Sequence, residues 1–311
     1  MTPPRHGVAV RVDSPTEARN PGTTDIDRVS TLDVLRLINT EDHRVPDAVG
    51  AVLPELARAV ELAVGALRAG GRVHYVGAGT SGRLATLDAA ELVPTFNVPP
   101  DWFLAHHAGG HEALVRAVED VEDQAAGGAA EIRRHASPGD LVVGVTASGR
   151  TPFVIAALAE ARLLGASTVL VSNNPTAPAP AYVDVLVALD TGPEAIAGST
   201  RMKAGSSQKL VLTSFSTAVM VRLGRTYSNL MVSMRATNAK LRGRTLRILR
   251  EATGLDEAEC STALAASGDD LKVALVHLLA DVPAARAAEA LESTQGHVRQ
   301  ALSLLSPGAT G

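Results

Sequence analysis

From about residue 72 to residue 189 the chain alternates between short apolar runs and stretches of helical spacing, and few folds accept that alternation. Residues 72–76, 102–105, 140–145, 168–172 and 182–189 read as buried strands. Residues 83–92, closed by Pro94, 112–135, and 152–164, begun by Pro152 and ended by Gly165, read as helices between them. Strands that alternate with helices need crossover connections, which give a mostly parallel sheet covered on both faces. We expect an α/β fold, a parallel-sheet αβα sandwich.

The flanks read differently. Residues 1–24, with their Pro, Gly, Thr and Asn, read as a mobile arm. Residues 25–39 and 46–69 have helical spacing, and Gly70-Gly71 stops the second of these. After Gly205 the pattern is helix only, over 208–223 and 230–248. Three short Ala-rich helical patterns follow, broken at Ser267-Gly268 and Asp281-Val282-Pro283. The expected organisation is an arm over 1–24, a catalytic domain over 25–253 and a small all-helical subdomain over 254–311.

Composition removes several function classes. A net charge of −4 and 3% aromatic residues argue against a nucleic-acid partner, which asks for a basic face and stacking rings. The single cysteine, Cys260, allows neither an intramolecular disulfide nor a four-thiolate zinc site. The greasiest stretch, 210–221, is interrupted by Thr213, Ser214, Ser216 and Thr217 and stopped by Arg222. It falls short of the roughly 20 apolar residues of a membrane span. With no signal-peptide pattern in the first 20 residues, the expectation is a soluble, cytoplasmic protein without a membrane partner.

Two loops carry the chemistry. Gly77-Ala78-Gly79-Thr80-Ser81-Gly82 follows a strand and opens a helix, formally a dinucleotide fingerprint. However, some 45 residues of helix precede that strand, and no acidic residue closes the next one. The hydroxyls of Thr80 and Ser81 suit a phosphate monoester at a helix N-terminus instead. Thr146-Ala147-Ser148-Gly149-Arg150-Thr151 has the same setting, and both loops contain Ser-Gly-Arg. Two such loops at neighbouring strand ends would flank one phosphate. The alternative is that each serine merely caps its helix.

These loops, with Asp27-Arg28-Val29-Ser30-Thr31-Leu32, Ile38-Asn39-Thr40-Glu41-Asp42, Leu87-Asp88-Ala89-Ala90-Glu91 and Gly198-Ser199-Thr200-Arg201-Met202-Lys203-Ala204-Gly205, resemble the sugar isomerase (SIS) domain family. Within it the chain is similar to the branch of etherases acting on N-acetylmuramate 6-phosphate; the match covers most of residues 16–245. The tail beyond Gly254 is similar, weakly, to a ubiquitin-associated-like helical piece. The resemblance implies a bacterial, cytoplasmic homodimer that recycles cell-wall sugars, with no metal and no cofactor. Its reaction removes D-lactate from C3 of the amino sugar by elimination and then hydration. It also implies phosphate and substrate contacts by Thr80, Ser81, Gly82, Ser148, Gly149, Arg150, Thr151, Ser199, Thr200 and Lys203.

Elimination needs carboxyl groups in a partly desolvated cleft. Glu91 stands among apolar neighbours near a helix end, where it would otherwise reach solvent or pair with Arg83; the resemblance makes it the proton donor. Glu119-Asp120-Val121-Glu122-Asp123 would ordinarily be a solvated helix face. The resemblance selects Glu122 as the second acid, with Glu119 as the substitute, because Asp120-Val121 departs from the small residues of the family pattern. Ala90 likewise replaces a common serine. Ser199, Thr200, Arg201 and Lys203 suit a carboxylate or phosphate, unless they only cap a helix, and Glu194 could orient Lys203 or a sugar hydroxyl. Among His106, His107 and His111, adjacent strand histidines point to opposite faces and cannot both chelate; a polar loop at the cleft rim is the reading. An aldose–ketose isomerase and a non-catalytic sugar-phosphate sensor are the competing functions.

Overall fold

The computed structural model describes residues 14–234 and 239–306. Residues 1–13 of the arm expected over 1–24 and residues 235–238 of the helix expected over 230–248 lie outside them. Three helices lead: α1 (Thr31–Asp42), α2 (Arg44–Gly50) and α3 (Leu53–Arg68). Then come β1 (Val73–Gly77), α4 (Gly79–Phe96), β2 (Phe103–His107), α5 (Gly110–Val115), α6 (Ala125–His135), β3 (Leu141–Thr146), α7 (Pro152–Leu163), β4 (Ser167–Ser172) and β5 (Val185–Ala188). After α8 (Lys203–Arg222) the chain forms β6 (Thr226–Tyr227), β7 (Leu230–Met231), α9 (Ala239–Thr253), α10 (Glu257–Ala266), α11 (Leu271–Ala280), α12 (Ala284–Ser293) and α13 (Val298–Leu305).

The five strands form the expected parallel sheet flanked by helices, in the order β2-β1-β3-β4-β5. That order reverses direction between β1 and β3, the switch point at which open α/β sheets leave a crevice beyond their strand ends. β3 and β4 pair in register from Leu141 with Ser167 to Thr146 with Ser172. β1 and β3 are buried throughout. On one face Val142, Leu170 and Val76 pack with Ile132 of α6 and Val154, Ala157 and Leu158 of α7. The glycine within β3 has a steric cause, since a Cβ on Gly144 would stand 2.6 Å from Val154 Cγ1.

Among the described residues the chain forms two compact units. One holds those up to Ala59 with His74–Ala85 and Ala105–Leu212; the other holds Val60–Val73, Thr86–Leu104 and Thr213 onward. In the second unit Val232, Ile248, Leu249, Cys260, Leu275, Leu291 and Val298 share one core. Nothing closes off at Gly254, where a boundary was expected. The tail has four helices rather than three, because Gln295 and Gly296 take positive φ and break the last pattern. Among the described residues no helix is long and apolar enough to cross a membrane.

Four other expectations change. Residues 14–24 are tied down, with Thr16, Asn20 and Thr23 buried. Thr23 Oγ1 donates to Ala195 O at 2.8 Å, and Gly198 N donates to Thr16 O at 3.0 Å. Pro94 lies inside α4, which starts at Gly79. The start of the helix expected over 230–248 is instead a hairpin strand, Leu230–Met231, with Tyr227 opposite Leu230. The helix expected over 112–135 is broken between Val115 and Ala125.

Two neighbouring glycines of α6 test the α6–α7 packing. A Cβ on Gly128 would stand 1.9 Å from the Phe153 carbonyl oxygen, whereas one on Gly127 meets nothing closer than 3.7 Å. Gly128→Ala should destabilise the fold by about 1–3 kcal/mol or more. Gly127→Ala should be neutral or stabilising, by about 0.5–1 kcal/mol, through the entropy of the unfolded chain. Urea unfolding of the two variants checks the contrast.

Candidate active site

The first loop is shaped by backbone against backbone. A Cβ on Gly77 would stand 2.7 Å from Gly82 N, and one on Gly82 would stand 2.6 Å from both Gly77 O and His107 Cδ2. The end of β1 therefore meets the first turn of α4 only if both residues are glycine. Thr80 and Ser81 then fall within the first turn of α4, where backbone N–H groups lack helical partners. In the second loop Gly149, at φ +71°, lies so close to β4 that a Cβ would stand 2.7 Å from Ser172 Oγ. Thr146 Oγ1 is 2.7 Å from Thr151 Oγ1 and 3.3 Å from Ser148 Oγ. Neither serine is a helix cap: Thr151 precedes α7, Ser148 Oγ accepts from Arg150 N at 3.2 Å, and Ser81 is inside α4.

Both loops face one cavity of about 450 Å³. Thr80, Ser81, Ser148, Arg150, Thr151 and Thr200 line it, and Glu122 is its carboxylate among the predicted residues. Gly82 and Gly149 shape the loops without lining it. Ser199 sits in the turn before α8, its carbonyl accepting from Met202 N at 3.1 Å. Sequence reasoning missed Thr16, Glu17 and Asn174, which also line the cavity. Asn174 carried a signal, since it follows β4 as the two loops follow β1 and β3; its Nδ2 donates to Ser148 O at 3.1 Å. Thr16 and Glu17 carried none.

Glu122 is held from both sides. The helix expected through it ends at Val115 because Arg83, just after the first loop, captures the last carbonyls of α5. Its Nη2 donates to Ala113 O at 2.7 Å and to Arg116 O at 3.0 Å, and its Nε to Leu114 O at 2.9 Å. Asp120 takes φ +60°, and Glu122 O accepts from Phe153 N of α7 at 3.0 Å. A smaller cavity of about 170 Å³ is lined by Arg83, His107, Glu119 and Glu122. Glu122 thus lines both cavities and Glu119 only the smaller. Glu91 is exposed on α4, in the second unit.

Lys203 is not at the cavity. It is fully buried and its Nζ donates to Glu41 Oε2. Burial pushes the Glu41 carboxyl up, but hydrogen bonds from Lys203 and Asn20 and the charges of Lys203 and Arg44 outweigh it, so the group stays below the usual glutamate range. The pair's contribution is therefore present at neutral pH and fades as pH falls through that lowered value. Glu194, also fully buried, accepts from Lys203 N and Ala204 N, each at 2.9 Å, and so caps α8. Burial pushes its carboxyl up against the pull of those two amides.

His106 and His107 are interior rather than part of a rim loop. His106 Nε2 is 2.9 Å from His74 Nδ1, and His74 Nε2 is 3.1 Å from Asp140 Oδ2. His106 Nδ1 is 3.2 Å from Glu131 Oε1. His107, pointing the other way along β2, reaches Gly79 O at 3.2 Å and props the first loop. His111 is exposed. Among the described residues no group of three His, Cys, Asp or Glu side chains could hold a metal ion.

The parallel sheet with hydroxyl-rich turns at its switch point lies within the stretch that sugar isomerase (SIS) domain profiles match. The SIS domain profile matches residues 120–218, and that of the glucokinase regulatory protein N-terminal SIS domain matches residues 55–162. A phosphoheptose isomerase from Francisella tularensis has the same fold, with a TM-score of 0.51 and 18% identity over 61% of this chain and 98% of that one. Sequence relatives narrow the class. An N-acetylmuramic acid 6-phosphate etherase from Thermobifida fusca is 60% identical over 86% of this chain and 88% of that protein. One from Serratia proteamaculans is 48% identical over 92% and 97%. The chain belongs to the N-acetylmuramic acid 6-phosphate etherase family.

Two substitutions test these placements. Lys203→Met leaves Glu41 buried without its cation and should lower stability by about 3–5 kcal/mol in urea unfolding; unchanged stability with weakened substrate binding would return Lys203 to the substrate. Arg83→Lys keeps the charge but loses the planar fork. Amide exchange should then accelerate through residues 113–124 while β3 and β4 stay protected.

Proposed function

We propose that this chain hydrolyses the ether between D-lactate and C3 of N-acetylmuramic acid 6-phosphate, giving N-acetylglucosamine 6-phosphate and D-lactate. One observation carries the reading from the geometry: a single cavity is lined by hydroxyls of both Ser-Gly-Arg loops and by the carboxylate of Glu122. The relatives' shared name agrees with it. The Thr80, Ser81, Ser148 and Thr151 hydroxyls, with Arg150 and Thr200, receive the phosphate through hydrogen bonds that strengthen toward a charged acceptor. Gly82 and Gly149 let the backbone approach. Ser199 and Lys203 act on the substrate only indirectly, by shaping the start of α8.

With the sugar open to its aldehyde, the C2 proton is α to a carbonyl. Glu122 removes it and the electron pair is held as an enolate. The enolate then expels the lactate oxygen from C3, and an acid protonates that oxygen as the C–O bond breaks. Water adds at C3 of the unsaturated aldehyde, C2 regains a proton and the ring closes. Glu91 is assigned the acid's part on family resemblance. Phosphorylated sugars do not cross a bilayer unaided, so the reaction belongs to the cytoplasm and to the recovery of wall sugars. A homodimer is supported by the exposed Leu32 and Leu35, three residues apart on one face of α1.

Incubation with N-acetylmuramic acid 6-phosphate should release stoichiometric D-lactate. In heavy-oxygen water the label should enter C3 of the sugar and not the lactate. Glu122→Gln should lose about 10²–10⁴-fold in rate, together with exchange of the C2 proton into deuterated solvent. Glu91→Gln should lose lactate release and keep some exchange. Label in the lactate, or an aldose–ketose conversion without lactate, overturns the reading.

A further inference from the structure

The second unit contains a cavity of its own, about 540 Å³, lined by none of the residues assigned above. Arg225, just after α8, and Lys272, in the first turn of α11, both line it, with Asn97 and Ser233 beside them. The two cations are fixed by neutral groups. Lys272 Nζ donates to Gly224 O at 2.7 Å and to Gly296 O at 3.0 Å. The Arg225 guanidinium carbon lies 5.0 Å from the Trp102 ring centroid, and its Nη1 donates to Asn97 O at 3.4 Å. Among the described residues neither cation has a carboxylate within ion-pair distance, whereas Arg222, three residues before Arg225, is paired with Glu61 at 3.3 Å.

The other charged groups nearby do not compensate. Asp269 and Asp270 also line the cavity but are exposed, where water screens them. Asp270 Oδ1 is already engaged by Lys272 N at 2.9 Å and Val273 N at 3.1 Å, which takes up the α11 amides as well. His297, against Gly224, is kept below its ordinary pKa by burial and then by the charges of Arg68, Lys272 and Arg222, so it adds no charge near neutrality. Burial lowers Arg225. Burial first, then the charge of Arg225, lowers Lys272 to about 8 against the opposing pull of Asp270. Two partly dehydrated like charges on one cavity wall are an unfavourable arrangement unless something neutralises them.

We propose that this cavity is a second anion site, which binds orthophosphate or a phosphate monoester between Arg225 and Lys272. A phosphate oxygen takes the planar fork of Arg225 and the point charge of Lys272 together, and its second negative charge offsets both cations. Such binding uses none of the residues assigned to ether cleavage.

The test is calorimetric titration of orthophosphate, and separately of glucose 6-phosphate, into the full chain. Wild type is compared with Ser81→Ala/Ser148→Ala, which weakens the first cavity, and with that variant carrying Lys272→Met. One phosphate site should persist in the double-serine variant and weaken at least tenfold on adding Lys272→Met. Its affinity should fall as pH rises from 7 to 9, because Lys272 sheds the proton that the anion requires. Arg225→Gln, provided it keeps the wild-type unfolding midpoint, should weaken the same site. A preference between the two titrants identifies the source of the anion. Absence of binding by both titrants in the double-serine variant overturns the proposal, as does binding indifferent to Lys272→Met or to pH.

Discussion

No side chain fits between Gly77 and Gly82. The end of the first strand and the first turn of its helix touch through backbone atoms alone, and most of the site follows from that contact. It brings Thr80 and Ser81 to the cavity and fixes where Arg83 leaves the helix. From there the guanidinium reaches three carbonyls of a segment some thirty residues later and ends α5. The segment so released carries Glu122, which α7 holds from the other side through Phe153 N. Each loop thus has one contact that places a cavity-facing hydroxyl and one that places the carboxylate, and the spacing between hydroxyls and carboxylate is built into the backbone.

Local pattern was enough for the sheet. The five apolar runs became five strands in a parallel sheet, and the paired Ser-Gly-Arg loops did come to one cavity. What the pattern could not carry were effects set by distant partners. Lys203 looked like a substrate cation because its neighbours are hydroxyls, but its carboxylate, Glu41, is 162 positions away in the chain. The break after Val115 has no local breaker and comes from Arg83. Thr16 and Glu17 looked like part of a polar arm because hydrogen bonds to the 195–198 loop are invisible in a linear string. The buried partners of His106 and His107, His74 and Gly79, likewise leave no trace in the residues beside them.

The sparse lysines are instructive together. Of the four, Lys203 and Lys272 have lost much or all of their contact with water. Lys203 meets a carboxylate and completes a closed polar cluster with Asn20 and Glu41. Lys272 meets two carbonyl oxygens and another cation. The same residue type therefore serves as a structural tie in one unit and as an open charge in the other, and the difference lies wholly in what faces it.

Each compact unit is assembled from three stretches of chain, and each passage between them falls within a secondary-structure element: α3, β1, α4, β2 and α8 in turn. Neither unit is therefore a cassette. No single cut releases one intact, and a stop at Gly254 would strip Cys260, Leu275 and Val298 from a core that also contains Ile248 and Leu249, leaving those two bare. Loops between the strands and helices lie outside these cores, but the helical part of this chain cannot be removed by a cut at one point without opening its core.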